Sequence, residues 1–504
     1  MDAPRQFQTN GGFHICQLAW NNGLSNEKPH KSIGVASGKV ANDIMGLPPP
    51  SARGLPGLIG FFRRTLQLLI PSFLMSNSHQ QDQHKQRPTD FLDGMRGYAA
   101  YIVAVYHYST EAYLNMEIGY GGNNGVNDYW ITQLPFIRLF ISGRFCVHVF
   151  FVISGFSISL KSLKLVRSGS YSGLAEAMAS AIFRRAGRLY LPCLPILVIT
   201  MILGHVGAGN FVFRGGFPRA LYNVPPRFDS FMEQVWHLIT EVFKWADPFR
   251  EKKYFIRYST QLWTIPWEFR SSLVSLLVVL GLAKVRSTMR IIIIAVMAIY
   301  CHMLARTAAA LFLEGTILAE LHLIRQDWIS QTGNLEPETK RQKAWNIGFF
   351  VLGLYFASYP SKEGGKAMYW SVYNYIAIDL FKLKEPAPYE LVTSIGAVLL
   401  VWVVSRSPTL QRPFTTRLAK YLGNISFALY LVHATILVWF GYANMNFFWW
   451  ITGKDTTFTY ALGHILTIVS QTVILVWVAD IYWRFVDVPS VKLMRRLEEK
   501  YTCA

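Results

Sequence analysis

Two ionisable side chains in the apolar stretch from Phe91 to Ser109 are candidates for chemistry. Arg96 lies near the start of the stretch and His107 near its middle. In a helix of 3.6 residues per turn, positions eleven apart differ by about three full turns, so both side chains share one face. At 1.5 Å rise per residue, His107 lies roughly 16 Å further along the axis. Ionisable groups in an apolar helix are costly and mark functional sites, although a core histidine bonded to a neighbouring carbonyl explains His107 equally well.

A second group of cations, in RRAGRLYLP, comes just before another apolar stretch. Arg185 and Arg188 are three residues apart and therefore share a helix face. Guanidinium groups bind phosphate oxygens in bidentate fashion, so these two and Arg96 on one membrane face would form a receptor for a phosphate-rich donor. Taken alone, the pattern is more often an anchor at the cytosolic face or a contact with lipid headgroups.

The composition indicates a polytopic membrane protein. Of the 504 residues, 52% are hydrophobic and only 16% are charged. The net charge of +19 comes mostly from basic residues in short connections between apolar spans, as in cytosolic anchors, so nucleic-acid binding is excluded. The five cysteines are far apart and indicate neither a disulfide framework nor a metal site. No HExxH, CxxC or Walker A motif occurs, so no bound metal is predicted.

The predicted fold is all-α, a transmembrane helical bundle of about ten spans. The approximate predicted limits are 91–110, 134–160, 189–206, 262–283, 289–304, 306–324, 345–360, 391–405, 421–443 and 458–486. Connection 111–133 has no Lys or Arg, whereas 161–188 is rich in both. This alternation predicts cytosolic N- and C-termini, although 207–258 and 361–390 fit the rule less well.

The sequence divides into four predicted regions. Residues 1–54 lack apolar periodicity and predict a mobile cytosolic tail. Residues 55–88 predict an amphipathic helix lying in the membrane interface, followed by a polar linker, because two arginines and a proline interrupt the apolar run. Residues 89–490 form the predicted transmembrane domain, and 491–504 a cytosolic tail. Within the domain, 207–258 is a large lumenal loop whose Gly and Pro residues predict either an irregular lid or a plain connector.

The motif LDGMRGYAAYIVAVYH resembles the opening motif of the integral-membrane acyltransferase 3 family, especially its fungal branch. The resemblance extends from about Pro88 to Pro489 and includes an Arg-x-x-Arg before the third span. It implies that Arg185 and Arg188, with Arg96, bind acyl-CoA, and that His107 is the essential catalytic residue. It also implies that no cofactor is bound and that acyl-CoA, expected to be acetyl-CoA, is a co-substrate.

The segment QLWTIPWEFR resembles the Trp-Ser/Thr-x-x-x-Glu segment of the family. Its carboxylate, Glu268, is interpreted in one of two ways. It orients His107 or contacts the acceptor, or it forms a structural ion pair with an arginine such as Arg144 or Arg270. A buried carboxylate must be paired or protonated in either case.

Three further side chains are predicted to support the site. Asp93 is expected to cap the first helix or to pair with the arginine three residues later. The segment VFFVISGFSISL resembles another family motif, in which Ser154 and Gly155 are expected to allow close helix packing. Just upstream the family has Gly-Val-Asp, whereas this chain has Cys-Val-His, and His148 is expected to line the cavity. His433, in YLGNISFALYLVHATIL, fits a packed, hydrogen-bonded histidine better than a second base.

The predicted function is membrane O-acyltransferase activity. His107 would act as general base on a hydroxyl of a secondary metabolite or glycan, which attacks the thioester. The alternative is a proton-coupled secondary transporter that uses the intramembrane Arg, Glu and His residues, although the sequence shows no inverted repeat. An endomembrane, the endoplasmic reticulum or Golgi, is the expected location. The sequence does not indicate an oligomeric state.

Overall fold

The computed structural model describes residues 69–74, 87–113, 115–122, 129–208, 224–333, 338–380, 382–383 and 386–501. The predicted tail 1–54 and most of segment 55–88 lie outside these residues. Within the described ranges the chain is helical and contains no β-strand, which agrees with the predicted all-α class.

The described residues form fourteen helices longer than two turns. Their bounds are α1 Asp90–Ala112, α2 Gly143–Arg167, α3 Tyr171–Tyr190, α4 Cys193–His205, α5 Phe231–Ala246, α6 Thr264–Gly281, α7 Ser287–Met303, α8 Thr307–Thr332, α9 Lys340–Ala357, α10 Ala387–Arg406, α11 Arg417–Ile436, α12 Tyr442–Thr452, α13 Thr457–Tyr482 and α14 Val488–Tyr501. Two joins are π-helical, Leu437–Gly441 between α11 and α12 and Trp483–Asp487 between α13 and α14.

Each predicted span overlaps one of these helices, although span 134–160 begins nine residues before α2. The described chain contains six helical runs that are long and apolar enough to cross a membrane. They are Gly143–Arg167, Tyr171–His205, Thr307–Thr332, Ala387–Arg406, Arg417–Thr452 and Thr457–Tyr501. Helix α7 is apolar but shorter, with 17 residues. The six runs indicate an integral membrane protein, while the count of ten spans and the cytosolic termini stay predictions.

The core is built on two close helix crossings, α1 with α11 and α2 with α8. A Cβ at Gly155 on α2 would lie 2.2 Å from the carbonyl oxygen of Phe312 on α8. A Cβ at Gly97 on α1 would lie 2.5 Å from the backbone nitrogen of Gly423 on α11. Backbones can approach this closely only at glycine, which confirms the close packing predicted for Gly155. The α1 crossing fixes the helix that carries Arg96 and His107.

Helix α5 lies inside the loop 207–258, where the sequence analysis predicted irregular backbone. Residues 209–223 of that loop lie outside the described ranges. One face of α5 is buried, through Gln234, Leu238, Glu241 and Trp245, which recur at helical spacing. The opposite face exposes Met232, Trp236 and Phe243. An amphipathic helix of this kind suits a membrane interface, and its 3.6-residue periodicity was the signal that the sequence analysis missed.

The described part of segment 55–88 packs on the last long helix run. Trp477 on α13 donates through Nε1 to the carbonyl of Leu69 at 2.8 Å. The carboxylate of Asp480, which is fully buried on α13, accepts from the backbone N–H of Ser72 at 3.0 Å. Residues 69–74 are therefore held by the protein itself, whereas most of the predicted interfacial helix lies outside the described ranges.

Glu117, in the connection between α1 and α2, is a buried carboxylate with several partners. It lies 3.0 Å from Arg144 and 2.7 Å from Lys362, and it accepts a hydrogen bond from the hydroxyl of Tyr106 at 2.7 Å. Burial alone would raise the pKa of Glu117. The nearby Arg144 and Lys362 charges and the hydrogen bonds from Lys362 and Tyr106 outweigh burial and lower the pKa to about 2.

We expect Glu117→Gln to destabilise the protein at neutral pH. Because the folded pKa lies below the unfolded value, the carboxylate contributes its full stability above about pH 4.5. That contribution, on the order of 3 kcal/mol, is lost as the pH falls towards about 2. Thermal unfolding in detergent should show a lower midpoint for the variant at pH 7 and a smaller difference at pH 4. An equal difference at both pH values would contradict this role.

Candidate active site

A cavity of about 620 Å³ opens where α1, α2, α3, α6, α11 and α14 meet. Part of its wall is apolar and is formed by side chains such as Val147, Phe150, Ile265 and Phe427. The remainder carries six cationic side chains against three carboxylates. The cations are Arg87, Arg96, Arg185, Arg188, Lys492 and Arg495, and the carboxylates are Asp93, Glu268 and Asp487. The wall therefore has an excess of positive charge and suits an anion with an apolar arm.

The three arginines singled out in the sequence all line this cavity. Arg96 projects from α1, and Arg185 and Arg188 project from one face of α3. The side chain of Arg185 is 16% exposed and that of Arg96 is 24% exposed, so neither lies open at the surface. Arg188 is exposed. A cavity-facing, mostly covered Arg185 differs from the snorkelling cation expected of a simple membrane anchor.

Glu268 on α6 lies beside Arg185, which corrects the predicted ion pair with Arg144 or Arg270. Its Oε1 accepts from Nη2 of Arg185 at 3.1 Å and from Oγ of Ser154 at 3.1 Å. Arg144 pairs with Glu117 instead, and Arg270 donates to the carbonyl of Arg250. The reason is helical geometry, because residues two apart in α6 point to nearly opposite sides. Ser154 thus contributes a hydrogen bond as well as a small side chain.

Asp93 pairs with Arg96 three residues later, as one of the two predicted alternatives has it. Oδ1 of Asp93 accepts from Nη1 of Arg96 at 3.3 Å. Its Oδ2 accepts from Arg87 at 3.1 Å. Asp93 does not cap α1, because the helix begins at Asp90 and the N-cap position is Thr89. The carboxylate holds the Arg96 guanidinium at the cavity wall.

His107 lies on α1 among other rings, outside the set of described residues that line the cavity. Its ring centroid is 5.2 Å from that of His433 on α11 and 5.1 Å from that of Tyr106. His433 is fully buried, and its Nδ1 donates to the carbonyl of Tyr430 at 2.7 Å. This proton assignment leaves Nε2 of His433 as an acceptor, and it has no hydrogen-bond partner among the described residues.

Tyr430 connects the histidine pair with the cavity, a role that sequence reasoning missed. Its side chain lines the cavity, and its ring lies 5.7 Å from that of His433. The hydroxyl is 2.6 Å from Oγ1 of Thr264 and also bonds the carbonyl of Gln261. The signal was the spacing in YLVH, which puts Tyr430 and His433 on one helix face.

His148 does not line the cavity, which corrects the sequence expectation. It is buried on α2, and its Nε2 lies 3.0 Å from Glu390 on α10. Its Nδ1 lies 3.0 Å from Oγ1 of Thr393. The preceding Val147 lines the cavity instead, because adjacent helix positions are about 100° apart.

A family model described as an acyltransferase domain matches residues 89–484 of the chain. The chain is similar to O-acetyltransferase PaAT-1 of Phomopsis amygdali, with 29% identity over 459 residues that cover 85% of this chain and 88% of the relative. It is 27% identical over 399 residues to acyltransferase R4 of a Phoma species, covering 74% of this chain and 84% of the relative. Acyltransferase clz18 of Cochliobolus lunatus is 26% identical over 400 residues, with coverage of 74% and 84%. No solved structure matches the chain.

Proposed function

The chain belongs to the acyltransferase 3 family, and from this premise we propose that it transfers an acyl group from acyl-CoA to the hydroxyl of an acceptor molecule. The observation that carries the proposal is the convergence of Arg96, Arg185 and Arg188 on one cavity with an apolar wall. Guanidinium groups recognise phosphate oxygens, and the apolar wall suits the uncharged pantetheine arm. The cavity volume lies in the range of small-molecule sites, which is about 300–1,000 Å³.

In the proposed reaction, His107 takes the proton of the acceptor hydroxyl. The hydroxyl oxygen attacks the thioester carbon, a C–O ester bond forms, and the C–S bond breaks. The proton then passes to the departing CoA thiolate, so that free CoA and the ester are the products. Neutral imidazole suits this step near neutral pH because its intrinsic pKa is about 6.5.

The contact between His107 and His433 supports this role for His107. His433 holds its own proton on Nδ1, towards the carbonyl of Tyr430, and so presents an unprotonated Nε2 in the buried pair. Tyr430 contacts His433 on one side and lines the cavity on the other. The thioester would therefore approach His107 along the Tyr430 side of the cavity. In the proposed reaction Glu268 binds Arg185 and holds this donor-binding arginine in position. It does not contact the acceptor.

The name of the relative PaAT-1 specifies an O-acetyltransferase. By this similarity we propose acetyl-CoA as the donor and a hydroxyl-bearing small molecule, such as a secondary metabolite, as the acceptor. A glycan acceptor is the second possibility within the same chemistry. The endoplasmic reticulum or Golgi is the proposed location.

We expect detergent-purified protein to release free thiol from acetyl-CoA, and to do so faster when its acceptor is supplied in a metabolite extract. A thiol reagent follows CoA, and mass spectrometry looks for an added acetyl mass in the extract. In the transporter alternative, acetyl-CoA stays intact and proteoliposomes show proton-coupled uptake. Intact acetyl-CoA and an unchanged extract would exclude the proposed reaction.

A further inference from the structure

Helix α14 forms one wall of the cavity that holds Arg96, Arg185 and Arg188, although most of α14 was predicted to be a cytosolic tail. It follows the last long span through the π-helical turn Trp483–Asp487 and begins beyond the family match, which ends at residue 484. The residues of α14 that line the cavity are Val488, Val491, Lys492 and Arg495. Their spacing of three, four and seven residues defines one helix face. The helix therefore presents two cations to the cavity from one side.

Packing against α3 fixes this face in position. Met494 is 8% exposed, and a Cβ built at Gly187 on α3 would lie 2.1 Å from its Sδ, so the Met494 side chain packs directly on the backbone of α3. One turn further along α14, Oε2 of Glu498 lies 3.1 Å from Nε of Arg184 on α3. Because α3 also carries Arg185 and Arg188, the two helices hold their cations around one cavity. A tail that served only as a membrane anchor would not need this arrangement.

The cations differ in how far the protein covers them. Arg96 is paired with Asp93 and Arg185 with Glu268, and both are mostly covered by protein. Arg188, Lys492 and Arg495 are exposed. The exposed group therefore forms the solvent-facing side of the cavity, and the covered group lies further inside it.

We propose that Lys492 and Arg495 bind the ribose 3′-phosphate of the acyl donor. The inference rests on the proposed function, because it assumes that the donor is acyl-CoA. In that molecule the acyl end and the uncharged pantetheine arm are followed by a diphosphate and then by the 3′-phosphorylated nucleoside. If the arm occupies the apolar wall, the covered arginines meet the diphosphate and the terminal phosphate reaches the exposed face of α14. A monodentate Lys and a forked Arg together provide charge and direction for one phosphate group.

The test compares binding of CoA with that of 3′-dephospho-CoA to the purified full-length protein by titration calorimetry. We expect the wild type to bind CoA about 10- to 100-fold more tightly, as charge-assisted hydrogen bonds to one phosphate allow. Arg495→Ala and Lys492→Ala should each weaken CoA binding and leave dephospho-CoA binding unchanged. The ratio of the affinity for CoA to that for dephospho-CoA therefore falls towards one. Arg496→Ala is the matched control, since Arg496 is exposed on α14 outside the cavity lining and should keep the full preference.

Equal binding of the two ligands by the wild type, or an undiminished preference in Arg495→Ala and Lys492→Ala, would overturn the inference. So would CoA binding that is unchanged in these variants while their binding to vesicles of anionic lipid is lost, because α14 would then bind headgroups. Failure of the proposed function gives a different result, namely a wild type that prefers CoA over dephospho-CoA but never transfers the acetyl group of acetyl-CoA. The circular dichroism spectrum of each variant checks that the exposed substitutions leave the fold intact.

Discussion

His107→Ala is expected to reduce thiol release from acetyl-CoA by about 10²- to 10⁴-fold, the usual contribution of a general base. CoA binding should stay close to that of the wild type, because His107 is not among the described residues that line the cavity proposed to bind the donor. The variant should therefore lose kcat while KM for acetyl-CoA changes little. Rates of thiol release and calorimetric binding of CoA separate the two effects.

The control for this variant is His322→Ala. His322 is a half-buried histidine on α8 that bonds Gln326 and lies outside the cavity lining. It should keep wild-type activity if the effect of His107 is chemical and not a general consequence of removing an imidazole from the bundle. Unchanged thiol release in His107→Ala would remove His107 from the mechanism, and equal losses in both variants would indicate a packing defect.

Arg185→Ala is expected to raise KM for acetyl-CoA by about 10- to 100-fold with a smaller change in kcat, since it removes binding to a part of the donor that does not react. The substitution also leaves the carboxylate of Glu268 without its cation in a partly buried position. Arg185→Lys keeps the charge but loses the forked geometry, so it should fold well and still bind acetyl-CoA more weakly.

The control for the arginine variants is Arg270→Ala. Arg270 lies on the same helix as Glu268 but bonds the carbonyl of Arg250 outside the cavity. It should leave KM unchanged. An unchanged KM in Arg185→Ala, together with poor membrane insertion, would instead show that Arg185 serves as a membrane anchor.

The double variant Arg185→Ala/Glu268→Gln measures how strongly the effects of the two side chains on donor binding are coupled. The two side chains share one hydrogen bond of 3.1 Å, so their effects on donor binding should not be additive. Glu268→Gln alone removes the negative charge but keeps a polar group near Ser154. We interpret Glu268 as a positioning residue for Arg185, which distinguishes it from a group that acts on the acceptor.

The sequence by itself determined the features that depend on short distances along the chain. The positions of α1 and the long apolar helices follow from runs of apolar residues. In the hydrocarbon core of a membrane, backbone N–H and C=O groups must hydrogen-bond to each other, and a helix satisfies this requirement. The Asp93 pair with Arg96 follows from a spacing of three residues in a helix. The shared face of Arg185 and Arg188 follows in the same way. The close packing at Gly155 was predicted from a segment that resembles a family motif and contains small residues.

Only the tertiary structure decided which helices face one another. Arg185 and Glu268 are 83 residues apart, and no periodicity in either segment indicates that α3 and α6 pack side by side. The same holds for His148 with Glu390, for His107 with His433 and for the cationic face of α14 at the cavity. An amphipathic pattern indicates that a helix face is buried but not which helix covers it. The reason is that the hydrophobic effect is non-directional and close packing depends on shape, and neither depends on how far apart two helices are in the sequence.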